Sequence, residues 1–461
     1  MGLSLDGLVS GLDTTAMIKA LMDVQAIPRN LLSAKKDDKS AVIAQLQSLN
    51  SAVQGLADKA KQTGTAAALA RFTVTASSPA VTISTGTGAA PVSTDIVVDR
   101  IARAHTVVTA SSATWPDDPP VLTLENAAGE RVRVTAASSS MQDVARAISA
   151  AGAGIVATVV RAGSDDTGAA AYRLQLTATQ TGAAGAFRVY RGDPAAVDAG
   201  TATDVAASGG AVVTAGADAQ LRLWAGTDAE QVVTSSGNTF TGLFPGVDVT
   251  VAAASPSPVA LTVAVDDAAR TAVAGDLVAQ LASVLARIDK GSAATVADAP
   301  GGTTTLGVFT GDSTVRALRQ ALADAVQHPV GGISPSTVGI SIDRYGVLTI
   351  DKDRFAAALA GDPATAESIV TGIAARVQDV AARYSDKYDG LLTARIVGQQ
   401  NEVTSLGDQI ARWDVRLEQR KANLEQTYAH LETMLSQMQS QSSYLTSQLA
   451  GLTSSQKGSN S

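Results

Sequence analysis

IVGQQNEVTSLGDQIARWDVRLEQRKANLEQTYAHLETMLSQMQSQSSYLTSQLAGL (Ile396–Leu452) carries an apolar residue at every seventh position: Ile396, Val403, Ile410, Leu417, Leu424, Leu431, Met438, Leu445 and Leu452. A column held in step for that long predicts one continuous helix of roughly 85 Å, at 1.5 Å per residue, packed against partner helices. The companion column is looser. Leu406, Trp413 and Met434 stand three residues after the main column, and Tyr428, Leu435 and Leu449 four after it. A stripe this broad suits more than one neighbouring helix.

The opposite end of the chain has the same character. Val42, Leu46, Leu49, Val53 and Leu56 alternate steps of four and three, and Pro28 divides the stretch into a short helix opened by Asp13 and a longer one. Two helical ends flanking a different middle predict an antiparallel stalk. A broad apolar stripe would leave one isolated pair wet, so several copies are expected to associate through it. The candidate interface residues are Leu12, Asp13, Ile18, Leu21, Leu46, Leu49, Val53 and Leu56 from the first end. From the second they are Ile410, Leu417, Leu424, Leu431, Met438 and Leu445.

Between these ends, from about Arg71 to Asp266, the period falls to two, as in Phe72-Thr-Val74, Val132-Arg-Val134, Leu174-Gln-Leu176 and Val247-Asp-Val249. Such alternation predicts half-buried strands, interrupted by one short helix near Met141 to Ala150. Helical spacing returns from Asp276 with Leu277, Leu281, Val284, Leu285 and Ile288. It continues after Asp312-Ser313 with Val315, Leu318, Leu322 and Val326. Ile340-Ser-Ile342 and Val347 to Ile350 flank Asp343-Arg-Tyr-Gly346 as a hairpin, and Pro363 opens another long helix.

Composition narrows the functional classes. The 461 residues are 45% hydrophobic but only 3% aromatic, so cores must be built from Ala, Val, Leu and Ile and a cofactor-sized apolar pocket is disfavoured. A formal charge of -8 gives no basic surface for nucleic acid or anionic lipid. With no cysteine, disulfide and thiolate chemistry are excluded. The first residues lack the basic and apolar regions of a cleaved signal peptide, and no long uncharged apolar stretch predicts a membrane span.

No catalytic set converges. The three histidines, His105, His328 and His430, read as surface or boundary residues, and Gly152-Ala-Gly154-Ile-Val-Ala157 has the letters of a dinucleotide loop with a helix before it and a strand after it, the reverse of what that loop requires. The acidic pairs Asp117-Asp118, Asp165-Asp166 and Asp266-Asp267, and the run from Asp343 to Asp353, lack calcium-loop spacing and read as turn caps. No enzyme, cofactor or metal is expected.

SGLDTTAMIKALMDVQAIPRNLL (Ser10 to Leu32) resembles the opening segment of the flagellar filament cap family, also called flagellar hook-associated protein 2. SSMQDVARAISAAGAGIVATVV (Ser139 to Val160) and YRLQLTATQTG (Tyr172 to Gly182) are similar to its head. LGVFTGDSTVRALRQAL (Leu306 to Leu322), VGISIDRYGVLTIDKDRFAAALAGDP (Val338 to Pro363) and LETMLSQMQSQSSYL (Leu431 to Leu445) resemble its C-terminal half. One departure is Ala279-Gln280, where the family usually carries an aromatic residue followed by Asn.

The resemblance implies an α+β multidomain fold with terminal α-helical coiled-coil legs, a mixed leg domain and a β-rich two-part head. Residues 1–45 and 405–461 would form the coiled-coil leg segment, 46–70 and 276–404 a helical leg domain with a β-hairpin, and 71–275 the head. The inner part of the head would be about 71–105 and 216–275, the outer part about 106–215. The implied role is a secreted structural cap at the distal tip of the bacterial flagellum, where it promotes flagellin assembly and prevents flagellin loss. The implied partners are flagellin, further copies of itself as a homo-oligomer, most simply a pentamer, and a type III export chaperone before secretion. The interface residues named above would then contact the filament and neighbouring copies. The alternative reading is a surface adhesin whose head binds host mucin or glycans.

Overall fold

The computed structural model describes residues 13–164, 168–296 and 303–457. Its helices are α1 (Thr14–Gln25), α2 (Ile27–Thr63), α3 (Met141–Ala150), α4 (Pro194–Asp198), α5 (Asp267–Ser292), α6 (Ser313–Gln327), α7 (Lys352–Gly361), α8 (Pro363–Ser385) and α9 (Leu391–Lys457). The chain divides into two compact units, one formed by 1–68 with 271–461 and the other by 69–270.

The first unit is helical, and its helices begin where side chains can satisfy orphan N–H groups. Asp13 accepts from the Ala16 N–H at 2.7 Å and caps α1. Asp312 accepts from Thr314 and Val315 and caps α6, while Asp362 caps α8, whose first turn holds Pro363. Each arrangement follows the preference for a short acceptor before the first turn and for proline just inside it. Helices α2 and α9 run antiparallel, because Arg29 pairs with Asp414 and Lys39 with Glu402, both at 2.9 Å. The core of this unit is aliphatic. Leu46, Leu49, Val53 and Leu56 on α2 are fully buried, as are Val377 and Ala381 on α8 and Leu392 on α9.

Helix α5 starts nine residues before the Asp276 expected from the sequence. By length and composition it is long and apolar enough to cross a membrane, contrary to the expectation that no such segment exists. Leu277, Leu281, Val284, Leu285 and Ile288 are all nearly fully buried, so its apolar side is taken up by the unit's core.

The second unit is β-rich and holds two separate cores. Strands Phe72–Ala76, Ser255–Val265, Val92–Arg100, Ala219–Leu223 and Gln231–Ser235 form a five-stranded antiparallel sheet in that order. A three-stranded sheet of Thr239–Phe244, Val247–Val251 and Val81–Thr85 contributes to the same core. Ile96, Leu221, Val249 and Leu261 fill it, each from the inward side of a strand alternating with period two. The other core lies among two four-stranded sheets and α3. One sheet runs Ala211–Thr214, Ala104–Val108, Ala170–Thr181, Ile155–Ser164, and the other Thr203–Asp204, Phe187–Arg191, Val121–Asn126, Arg131–Thr135. Leu122, Leu124, Leu174 and Leu176 meet Val144 and Ile148 of α3 there. Ser140 caps that helix by accepting from the Asp143 N–H, and Gly152 and Gly154, both at positive φ, make the turn into the next strand. The short helix α4 was not expected, although Asp193 followed by Pro194 is a cap-and-first-turn signal.

Candidate assembly surfaces

The residues singled out from the sequence fall into three environments. Leu12 lies outside the described residues. Leu46, Leu49, Val53 and Leu56 have no exposed surface, so the expectation that they form an interface with other chains is corrected: α2 packs them against α8 and α9 within its own unit. A heptad stripe looks the same whether its partner belongs to the same chain or another, and here the partner is internal.

Asp13 is spent on capping α1. Ile18 is buried while Leu21, three residues later, is 46% exposed, so α1 turns only part of its apolar face towards α9, its main neighbour. Ile410, Leu417 and Leu424 are half-buried. Beyond them the same column opens: Leu431 is 47%, Met438 63% and Leu445 61% exposed, and Met434, Leu435 and Leu449 join them.

The register explains this gradient. The two ion pairs match residue 29 to 414 and 39 to 402. Carried along both helices, this match sets α1 opposite roughly 417–429 of α9. The open residues lie past the described start of α1. A continuous apolar stripe of this length, polar on its other sides, is the form of surface that buries itself against other helices.

His105, expected at a surface or boundary, is buried. Its Nδ1 accepts from the Gly216 N–H at 3.2 Å, and its ring meets Phe187 edge-on at 4.8 Å. Burial pushes its pKa down, with a hydrogen bond to the Phe187 backbone opposing the shift, so the ring is neutral near neutral pH. This histidine sits where the two cores of the unit join. Nearby, Gly182 donates to Arg103, Ala183 donates to the Asp218 carboxylate at 2.7 Å, and the Thr181 hydroxyl donates to Ser236. Only the context of a turn glycine could have flagged this joint, because its bonds link residues far apart in sequence.

A small cavity of about 50 Å³ lies beside the α3 core, lined by Trp115, Met141 and Arg191 among others. Arg191 grips Asp117 through Nε and Nη2 at 2.7 and 2.6 Å, and that guanidinium holds the Asp117 carboxyl below the usual carboxylate range. The Trp115 indole N–H lies near the same carboxylate. Among the other acidic candidates, Asp266 accepts from Ala269 and Asp343 from Tyr345 and Val347. These carboxylates cap turns, and no cluster of three metal-binding side chains forms among the described residues.

Two family models match the chain. The model described as the flagellar hook-associated protein 2 N-terminus matches residues 10–105, and that described as the flagellar hook-associated protein 2 C-terminus matches 216–440. Together they cover more than half of the chain. A curated relative, the lateral flagellar hook-associated protein 2 of Vibrio parahaemolyticus, is 29% identical over 164 residues, which are 35% of this chain and 36% of the relative. The match thus spans about a third of that relative's length. Among solved structures, the D1-D2-D3 domains of the flagellar cap protein FliD from Escherichia coli superpose with a TM-score of 0.61 at 20% identity, covering 77% of this chain and 99% of that one. That likeness concerns the fold. The D2-D3 domains of the same protein give a TM-score of 0.34 at 24% identity, over 42% of this chain and all of that one.

Proposed function

The chain belongs to the flagellar hook-associated protein 2 family, and from that premise we propose that it caps the distal tip of the bacterial flagellar filament, outside the cell. In this reading the protein is structural. Several copies associate, most simply five, after a type III export chaperone has held the chain before secretion. The leg helices of residues 1–45 and 405–461 touch the last flagellins, and the β-rich residues 71–275 close the channel so that incoming flagellin folds and docks beneath them.

The observation that carries this reading is the distal half of α9, where Leu431, Met438 and Leu445 stand open on a helix whose proximal half is packed into its own unit. An open heptad stripe provides a sizeable apolar grip on neighbouring helices, and its near-neutral charge lets contacts break and re-form as subunits are added. A mucin-binding head has no comparable observation in its favour, and the matches lend it no support.

Replacing Leu424, Leu431 and Met438 together by Asp in the full chain tests the proposal. Expressed in a strain lacking its own cap, this variant is expected to leave short or absent filaments and free flagellin in the medium, with the β-rich unit still folded by circular dichroism. Filaments of normal length and number would overturn it.

A further inference from the structure

The helical unit carries two surface features that the roles above leave unused. One is a cleft of about 350 Å³ where α2, α9 and the turn after α8 meet, lined by Gln47, Asn50 and Gln54 on one wall and Val397 and Gln400 on the other, with Lys387 at the turn. It is many times the size needed for one water. The Asn50 Oδ1 atom is buried and receives no hydrogen bond, and Val397 is 48% exposed.

The other feature is the hairpin tip from Asp343 to Gly346. Its shape is fixed from both sides. Asp343 Oδ1 accepts from the Tyr345 and Val347 N–H groups at 2.8 and 2.9 Å, and Gly346, at φ 83°, lies tight against the Arg319 guanidinium, which pairs with Asp289. The tip presents Tyr345, 71% exposed, with the Arg344 guanidinium 4.7 Å above its ring.

These features stand at similar levels on different sides of the unit. Arg287 donates to the Ser48 hydroxyl and Lys59 pairs with Asp276 at 3.1 Å, so α5 runs antiparallel to α2 and Asp289 falls near the level of residue 46. Through Arg319, the tip is held within about two helical turns of Gln47 along α2. At about 100° per residue, Ser48 and Asn50 point to sides of α2 about 160° apart. Copies standing side by side, related by rotation about an axis parallel to α2, therefore bring a tip to a cleft at nearly equal height. A head-to-tail contact of this kind closes into a ring when no translation accompanies the rotation.

We propose that the Asp343–Gly346 tip of one copy inserts into the α2–α9 cleft of the next, joining the helical units in a closed ring. Tyr345 fills the cleft, the Arg344 guanidinium donates to the side-chain carbonyls of the lining glutamines, and the Asp343 carboxylate meets the Lys387 ammonium. The anchor is a Tyr and Arg pair already held in shape, the type of residue that dominates interface energetics and loses little freedom on docking. The proposal rests on the homo-oligomeric reading given above.

The chain has no cysteine, which makes cross-linking a clean test. Full-length protein carrying Tyr345→Cys with Val397→Cys, oxidised at a concentration where light scattering shows oligomers, is expected to give a ladder of bands beyond dimer. Either single variant is expected to give no ladder. Tyr345→Ala with Arg344→Ala is expected to weaken self-association about tenfold or more, with unchanged unfolding, and Gln54→Trp to do the same by filling the cleft. Oligomers without a ladder, or association unchanged in these variants, would overturn the tip-and-cleft contact while leaving self-association intact. Cross-links to flagellin in place of a second copy would overturn the choice of occupant, and a chain that stays monomeric would overturn both this inference and the reading beneath it.

Discussion

The β-rich unit and the distal half of α9 answer one physical demand in opposite ways. In the first, the inward sides of the strands find their cover within the unit, and Ile96, Leu122, Leu174 and Leu221 have no exposed surface. In the second, a helix with an apolar residue at every seventh position leaves Leu431, Met438 and Leu445 largely open. The proximal half of α9 sides with the β-rich unit, since Leu392 and Leu406 are buried. The difference teaches that periodicity records the need for a partner and leaves the partner's identity to the register of the helices. Here two ion pairs mark that register, and it carries α9 past the described start of α1.

The largest expected effect tests the covered side. Leu49→Ala or Leu56→Ala on α2 removes side chains with no exposed surface and should destabilise the helical unit by about 2–5 kcal/mol, from lost burial and the cavity left behind. Urea unfolding of the full chain would measure it, with the helical signal melting earlier than the β-sheet signal. A loss below about 1 kcal/mol would mean that this stripe is not the structural seam described.

A smaller effect is expected at Asp312, which caps α6 through two N–H groups and accepts from Arg395 of α9 at 2.9 Å. Asp312→Ala should lower stability by about 1–2 kcal/mol, the range of a lost cap. Asp312→Asn, which keeps a capping acceptor, should recover most of it. If Asn fared as badly as Ala, the contact with Arg395 would be the dominant part.

The covered unit also has an acid-sensitive point. Burial holds the folded-state pKa of His105 below its ordinary value of about 6.5, so the unfolded chain binds the proton more readily. The stabilisation linked to this residue is therefore complete above about pH 6.5 and is lost as pH falls from there through the depressed folded-state value. Protonation puts a hydrogen on Nδ1 and removes the acceptor that Gly216 uses. Melting of the β-rich unit followed from pH 7 to pH 5 should show a steeper loss in the native chain than in His105→Phe. Equal slopes would remove His105 from the joint between the two cores.

How much of this was legible follows from the same contrast. Local patterns were readable: Asp13, Asp312, Pro28 and Pro363 mark helix starts where the structure has them. The period-two runs also became strands, because short-range sterics and alternating burial decide these elements. The assignment of Leu46, Leu49, Val53 and Leu56 to an interface failed, because their spacing is identical for an internal and an external partner. The burial of His105 and the joint around Gly182 were illegible, since Arg103, Gly182 and Ala217 meet only after the strands pair. The open tail was half legible: the column was plain, but only the register of α2 against α9 tells which of its residues α2 lies beside.

The smallest expected effect is the sharpest test of the contrast. Met438→Ala and Leu445→Ala each delete a side chain more than 60% exposed, so the isolated chain should unfold within about 0.5 kcal/mol of the native protein. The same variants should weaken association of the full chain, because an assembled helix layer would bury what the single chain leaves wet. The two readouts must move apart. If either substitution instead destabilised the monomer by 2 kcal/mol or more, the distal half of α9 would have a partner within its own chain. The open stripe would then be a packed seam like the one on α2, and the distinction between the covered and uncovered parts of this molecule would no longer hold.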